Sequence, residues 1–131
     1  MPKPDPTLVQ IALDAWQATS RGDRATLERL FAPDVVWHAS GRGRWSGVRK
    51  GLDAVFEYLS ALGEASDQFS SELQDVLVSE TRAAVFFHVS GRREGKVLDT
   101  DFILIFEIAD GLIRSLSSVP RDQLAVDEFW A

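Results

Sequence analysis

The chain has no cysteine. That excludes a disulfide framework, thiolate catalysis and cysteine-ligated zinc at one stroke. Histidine is almost as scarce, with two in the chain, and neither His38 nor His88 has a partner at metal-ligand spacing. The acids are scattered, so no metal site is expected. Long hydrophobic runs are also missing: the uninterrupted apolar stretches Ala83–Phe87 and Phe102–Phe106 are far too short to span a bilayer. The segment Met1–Pro6 carries no apolar stretch of the signal-peptide kind, so the cytoplasm is the default location. Positive charge is in deficit. A net charge of −6 argues against non-specific nucleic-acid binding, which depends on neutralising phosphates.

What remains is an ordinary globular composition. At 131 residues with 45% hydrophobic content, the chain suits one domain, 1–131, with a proper core. Asp5 suits an N-cap with Pro6 at the first helical position. Beyond it Leu8, Ile11, Ala12, Ala15, Trp16 and Thr19 share one helical face, with a stop near Gly22. Asp23 caps a short second helix with Leu27, Leu30 and Phe31 inward and Pro33 as its end. Val35–Ser40 reads as a short strand. A glycine-rich basic loop follows, with Arg42, Arg44, Arg49 and Lys50. A third helix is expected over Leu52–Leu62, with Gly63 as its stop.

The period then changes to two. Gln68–Val78, Arg82–Gly91, Lys96–Ile108 and Leu112–Val119 are strand-like and are separated by short turns, which implies an antiparallel meander. The expected class is α+β: three N-terminal helices packed on a curved antiparallel sheet, together enclosing a pocket.

Four stretches carry a family resemblance: Leu30–His38 (LFAPDVVWH), the Gly41…Gly47…Lys50-Gly51 loop, Phe106–Ile113 (FEIADGLI) and Pro120–Trp130 (PRDQLAVDEFW). In this order they resemble the SnoaL-like, ketosteroid-isomerase-related branch of the nuclear transport factor 2-like superfamily. The resemblance implies a conical α+β barrel with a pocket in its open end, usually a homodimer. It implies no single function, since members include isomerases, cyclases, epoxide hydrolases, dehydratases and plain binding modules.

Laid on the ketosteroid isomerase pattern, the catalytic base falls on Ala39 and the oxyanion aspartate near Leu104, both apolar. The Asp–Arg–Asp pattern of epoxide hydrolases fails as well, because Arg114–Val119 contains no acid. Both chemistries are disfavoured. The catalytic candidates left are His38, which can shuttle a proton near neutral pH, and Asp101, which shares a strand face with Asp99. Strand parity sets His38 opposite Trp37 and Ala39, away from a pocket unless a bulge intervenes. His88 belongs on that outer face too.

The basic loop lacks any phosphate-binding spacing; it reads either as a solvated turn with Trp45 over the pocket mouth or as an anion site. Trp16, Phe31, Trp37, Tyr58, Phe87, Phe102 and Phe106 lie on faces that converge, and both core and pocket-wall roles are open to them. The expected pocket comprises Trp16, Trp37, Tyr58, Phe87, Phe102 and Leu104, and its occupant a small apolar molecule. Two functions compete: a binding or accessory module without cofactor, and a cofactor-independent isomerase, cyclase or dehydratase working by proton transfer. The opposite sheet face, with Phe86, Ile103 and Ile105, is apolar enough to call for a homodimer. Phe129 and Trp130 cover either the rim of that contact or their own subunit.

Overall fold

The computed structural model describes residues 6–131, Pro6 by its backbone alone. The elements run α1 (Pro6–Arg21), α2 (Arg24–Leu30), β1 (Phe31–Ala39), β2 (Gly47–Lys50), α3 (Leu52–Ala65), β3 (Gln68–Val78), β4 (Arg82–Arg93), β5 (Lys96–Ala109), β6 (Leu112–Pro120) and α4 (Gln123–Trp130). The six strands form one open, curved sheet in the order β2-β1-β6-β5-β4-β3. The expected α+β class holds.

The strand-to-strand turns follow from backbone sterics. Glu94-Gly95 and Asp110-Gly111 both have positive φ at each residue, as a two-residue hairpin turn needs to match strand twist. β3 to β6 are therefore an antiparallel meander, as their short connections imply. β1, however, pairs parallel with β6 and antiparallel with β2, so the sheet is mixed. Pro33 does not end a helix. α2 already stops at Leu30, and Pro33 sits where the β1–β6 register shifts between Phe31 and Val36, a place where its missing N–H does little harm.

Two further expectations change. Gly63 does not stop α3, which continues to Ala65 and ends at an extended Ser66 whose hydroxyl donates to the Leu62 and Gly63 carbonyls. The basic loop contains the short strand β2, and a fourth helix closes the chain, capped by Asp122 accepting from the Ala125 amide. The Asp5 cap lies outside the described residues.

The helices cover one face of the sheet. Leu8, Ile11, Ala12, Ala15 and Trp16 of α1 are buried, as their spacing requires, and α1 lies across β3, β4 and β5. Leu27, Phe31, Val35, Val85, Leu98, Phe106, Ile113, Leu116 and Phe129 form a fully buried core. Burying each such side chain contributes roughly 1.5–3 kcal/mol before chain entropy is counted. Inward and outward residues alternate along β4 and β5: Ala83, Val85, Phe87 and Val89 are buried, while Phe86 and His88 are partly exposed on the other side.

Candidate functional site

Between the inner face of the sheet, α1, α3 and α4 lies an open cavity of about 1670 Å³. Strand alternation builds its floor. In register across the sheet, Ala39 of β1, Ser118 of β6, Leu104 of β5 and Val85 of β4 form one inward row; Phe102 and Phe87 extend the next. Ala39 and Leu104, the positions matched to the isomerase base and acid, thus line the cavity on either side of Ser118.

The walls are aromatic. Trp16 meets Phe87 at 6.0 Å between ring centroids, and Phe87 stacks on Phe102 at 5.7 Å. On the other side Trp37 meets Tyr58 at 5.7 Å, Tyr58 meets Trp45 at 6.4 Å, and Trp45 meets Trp130 at 6.3 Å. All six residues expected to form the pocket line this cavity. Phe31 and Phe106 are core and do not line it. Trp130 closes over its own subunit. Arg93, itself buried, holds it there by donating from Nη1 to the Phe129 and Ala131 carbonyls at 3.2 and 3.1 Å.

The loop between β1 and β2 is tied down at both ends. Ser40 Oγ donates to the Ser118 carbonyl (2.8 Å), Ser46 Oγ to the Ser40 carbonyl (3.0 Å), and the Arg42 amide to Asp127 (3.3 Å). Gly41, with φ +98°, presses so close to α4 that a Cβ would fall 2.1 Å from Gln123 Nε2. Arg49 turns toward the site. It donates to the Trp45 carbonyl at 2.7 Å and its guanidinium sits 4.2 Å above the Tyr58 ring. Arg42, Arg44 and Lys50 are exposed.

Charge is confined to the rim. Asp53, Glu57, Glu64 and Asp67 border the opening but are exposed, and Asp127 at the mouth is half-buried and bonded to Gln123. Among the described residues, none of the buried ones lining the cavity carries a carboxylate, imidazole, amine or guanidinium. Tyr58 and Ser118 are among the hydroxyl-bearing residues that line the cavity. Burial pushes the Tyr58 phenol up to about 12 against the opposing pull of Arg49, so it stays a neutral donor at any physiological pH. The indole N–H groups of Trp16, Trp37 and Trp45 are buried with no partner. Each such orphan costs about 1–3 kcal/mol.

The two catalytic candidates do not line the cavity. His38 is exposed, opposite Val48 and Ser117 on the outer face, where strand parity sets it. Asp101 is also on the outer face. Its carboxylate does share a face with that of Asp99, but what lies between the two is His88: Nδ1 is 2.8 Å from Asp101 Oδ1 and Nε2 meets Asp99 Oδ1. A role for His38 or Asp101 in chemistry inside the cavity has no geometric support. Among the described residues no three acidic or histidine side chains are placed to hold a metal ion. Sequence reasoning misses Gln123, Val126 and Asp127, which line the mouth. The Asp122 cap is the available signal for the helix that carries them.

With this geometry in place, the similarities to known proteins are informative. Residues 11–116 match the SnoaL-like domain family. The uncharacterised protein Rv0034 of Mycobacterium tuberculosis is 34% identical over 118 residues, 88% of this chain and 90% of that one. Bal32a, from a soil-derived mobile gene cassette, superposes with a TM-score of 0.90 at 30% identity, covering 96% of this chain and 98% of its own. An NTF2-like protein from Burkholderia xenovorans shares the fold at TM-score 0.85 and 22% identity, covering 96% and 97%.

Proposed function

The chain belongs to the SnoaL-like domain family, with the NTF2-like fold, and within that family we propose that it is a binding module for a small, largely apolar molecule. The observation that carries this reading is the missing acid–base pair: among the described residues, the aromatic interior holds no titratable group except a phenol that stays protonated. The positions matched to the isomerase base and acid are Ala39 and Leu104, which offer shape and no proton transfer. All four tryptophans of the chain line the cavity, so an occupant reports itself. Titration with anilinonaphthalenesulfonate is expected to quench tryptophan emission saturably with one site per chain. No quenching by any apolar probe would remove the reading.

A second reading, a cofactor-independent enzyme acting by proton transfer, draws on one feature: Asp127 is a half-buried carboxylate at the cavity mouth. It requires solvent deuterium to enter a bound ligand at a rate that Asp127→Asn abolishes.

We propose also that two copies pair through the outer sheet face. Phe86, Ile103, Ile105 and Val119 lie there as neighbours in register, with Ile105 and Val119 more than a third exposed. An apolar patch of this kind is unfavourable in water, and a two-fold contact lets it cover its own copy.

A further inference from the structure

We infer that the free edge of β3 is an interaction surface, and that it takes an extended segment of another protein in which apolar residues alternate with Lys or Arg. This edge is separate from the cavity interior and from the two-fold contact proposed on the outer face.

β3 stands at the end of the sheet order and pairs with β4 alone. In an antiparallel pair, alternate residues turn their N–H and C=O groups toward the partner strand and the others turn theirs away. Among the described residues, 68–73 make no backbone bond outside the β3–β4 ladder. α1 reaches this strand through the Ser20 hydroxyl, 2.9 Å from that of Ser71, a side-chain contact that takes up no backbone group.

An unpaired edge invites another strand, and folded proteins usually guard against it. Such guards are present elsewhere in the sheet. The opposite edge, β2, is four residues long and carries Arg49 and Lys50. The far half of β3 has a register shift between Leu73 and Asp75, and the Asp75 carboxylate accepts from the Val76 amide at 2.8 Å. Among the described residues, 68–73 have neither a bulge nor an amide closed by a side chain. Instead they expose apolar surface. Phe69 is 48% and Leu73 41% exposed, both on the inner side of the strand, in register with Gly91 and Phe87.

The charges select the occupant. Glu72 stands on the outer side of the same edge, Asp75 follows past the bulge, and Asp67 precedes the strand; β3 contains no Lys or Arg. A second copy pairing here would bring acids to acids on chains of net charge −6, and like charges across a ladder are destabilising. A basic strand reverses the sign. Its period of two then sets apolar side chains beside Phe69 and Leu73 and cationic ones beside Glu72.

A dye-labelled peptide, Lys-Val-Lys-Val-Lys-Val, titrated with the intact protein at low salt, reports binding by its anisotropy. Saturable binding is expected. Replacing every Lys by Glu is expected to weaken it about tenfold or more. Two further peptides carry N-methyl groups on all the valines or on all the lysines. In a paired strand only one set of N–H groups faces β3. One methylated peptide is therefore expected to lose about tenfold in affinity and the other to stay within about twofold of the parent. Glu72→Gln and Leu73→Ser, each checked for an unchanged far-ultraviolet spectrum, are expected to weaken the parent peptide several-fold. Absence of binding, or equal affinity for the two methylated peptides, would overturn the inference. Equal binding of the Lys and Glu peptides would do the same. Self-association that Leu73→Lys abolishes and Ile105→Asp does not would give the edge to a second copy and overturn it in that way.

Discussion

On the outer face of the sheet, His88 has a carboxylate against each ring nitrogen, and Asp101 also accepts from Gln74 and Arg121. On the inner face, Trp16, Trp37 and Trp45 keep three buried N–H groups with no acceptor. The charged cluster on the outer face is partnered, whereas the sealed indole N–H groups, like the Arg93 Nε, are not. Satisfaction is usually the reverse, because an orphan costs most where water cannot reach. The contrast marks the inner face as the incomplete one. The outer face lacks only cover for its aliphatic patch.

The largest way to break the comparison is to empty the inner face of its packing. Phe106 is fully buried beneath the sheet, and Phe106→Ala is expected to cost about 3–5 kcal/mol in urea unfolding. A loss below about 1 kcal/mol would mean that the inner layer is not close-packed.

The outer face should respond differently. Ile105→Asp is expected to change the stability of the single chain by no more than about 1 kcal/mol. Its effect falls on assembly: sedimentation equilibrium at micromolar concentration is expected to give twice the 14.6 kDa chain mass for the parent and the single-chain mass for the variant. A parent that sediments at 14.6 kDa would sink the two-fold contact.

The smallest effect sharpens the comparison through pH. Hydrogen bonds donated to Asp101 and Asp99 raise the His88 pKa above 6.5, and the bond accepted from His88 holds Asp101 below 3.8. A neutral imidazole has one N–H and cannot donate to both acids. The cluster also includes Gln74 and Arg121, with Glu72 in register with His88 on β3. A raised histidine contributes fully below 6.5, and its share is lost as pH climbs through the raised value. A depressed aspartate contributes above 3.8 and is lost as pH falls through its lowered value. The cluster therefore helps most between about pH 4 and 6.5. Melting curves for His88→Gln should lie furthest below the parent near about pH 5.5 and converge toward about pH 9. A constant offset would mean that protonation plays no part.

Much of this architecture is legible in the residues alone. The stripe from Leu8 to Trp16 and the alternation of β4 and β5 reflect burial on one side only, which leaves a periodic mark on sequence. Parity along β1 is enough to send His38 outward and Trp37 inward. What escapes has physical reasons too. β2 is four residues long, and its pairing with β1 depends on a loop shaped by Ser40, Ser46 and α4, none of it periodic. The parallel β1–β6 ladder joins distant segments, which no local pattern records. α4 has two turns, too short to show a stripe, so Asp127 stays hidden. Asp101 stands out in the sequence because it shares a strand face with Asp99, but that pairing does not say which face; one residue of offset from Phe102 puts both acids on the outer one.

That parallel ladder has a consequence for how the protein comes into being. Ser40 and Ser118, joined at its end, stand 78 positions apart in the chain. β1 can take its place beside β6 only after the whole meander has emerged from the ribosome, and until then α1, α2 and β1 carry their apolar faces without the surface meant to receive them. Contacts of such long range fold slowly and expose aggregation-prone intermediates. The interval between the synthesis of β1 and that of β6 is therefore when the nascent chain most needs a chaperone. A circular permutant that begins at β3 and appends α1–α3 after α4 would remove that wait, because each later segment would meet a sheet already made.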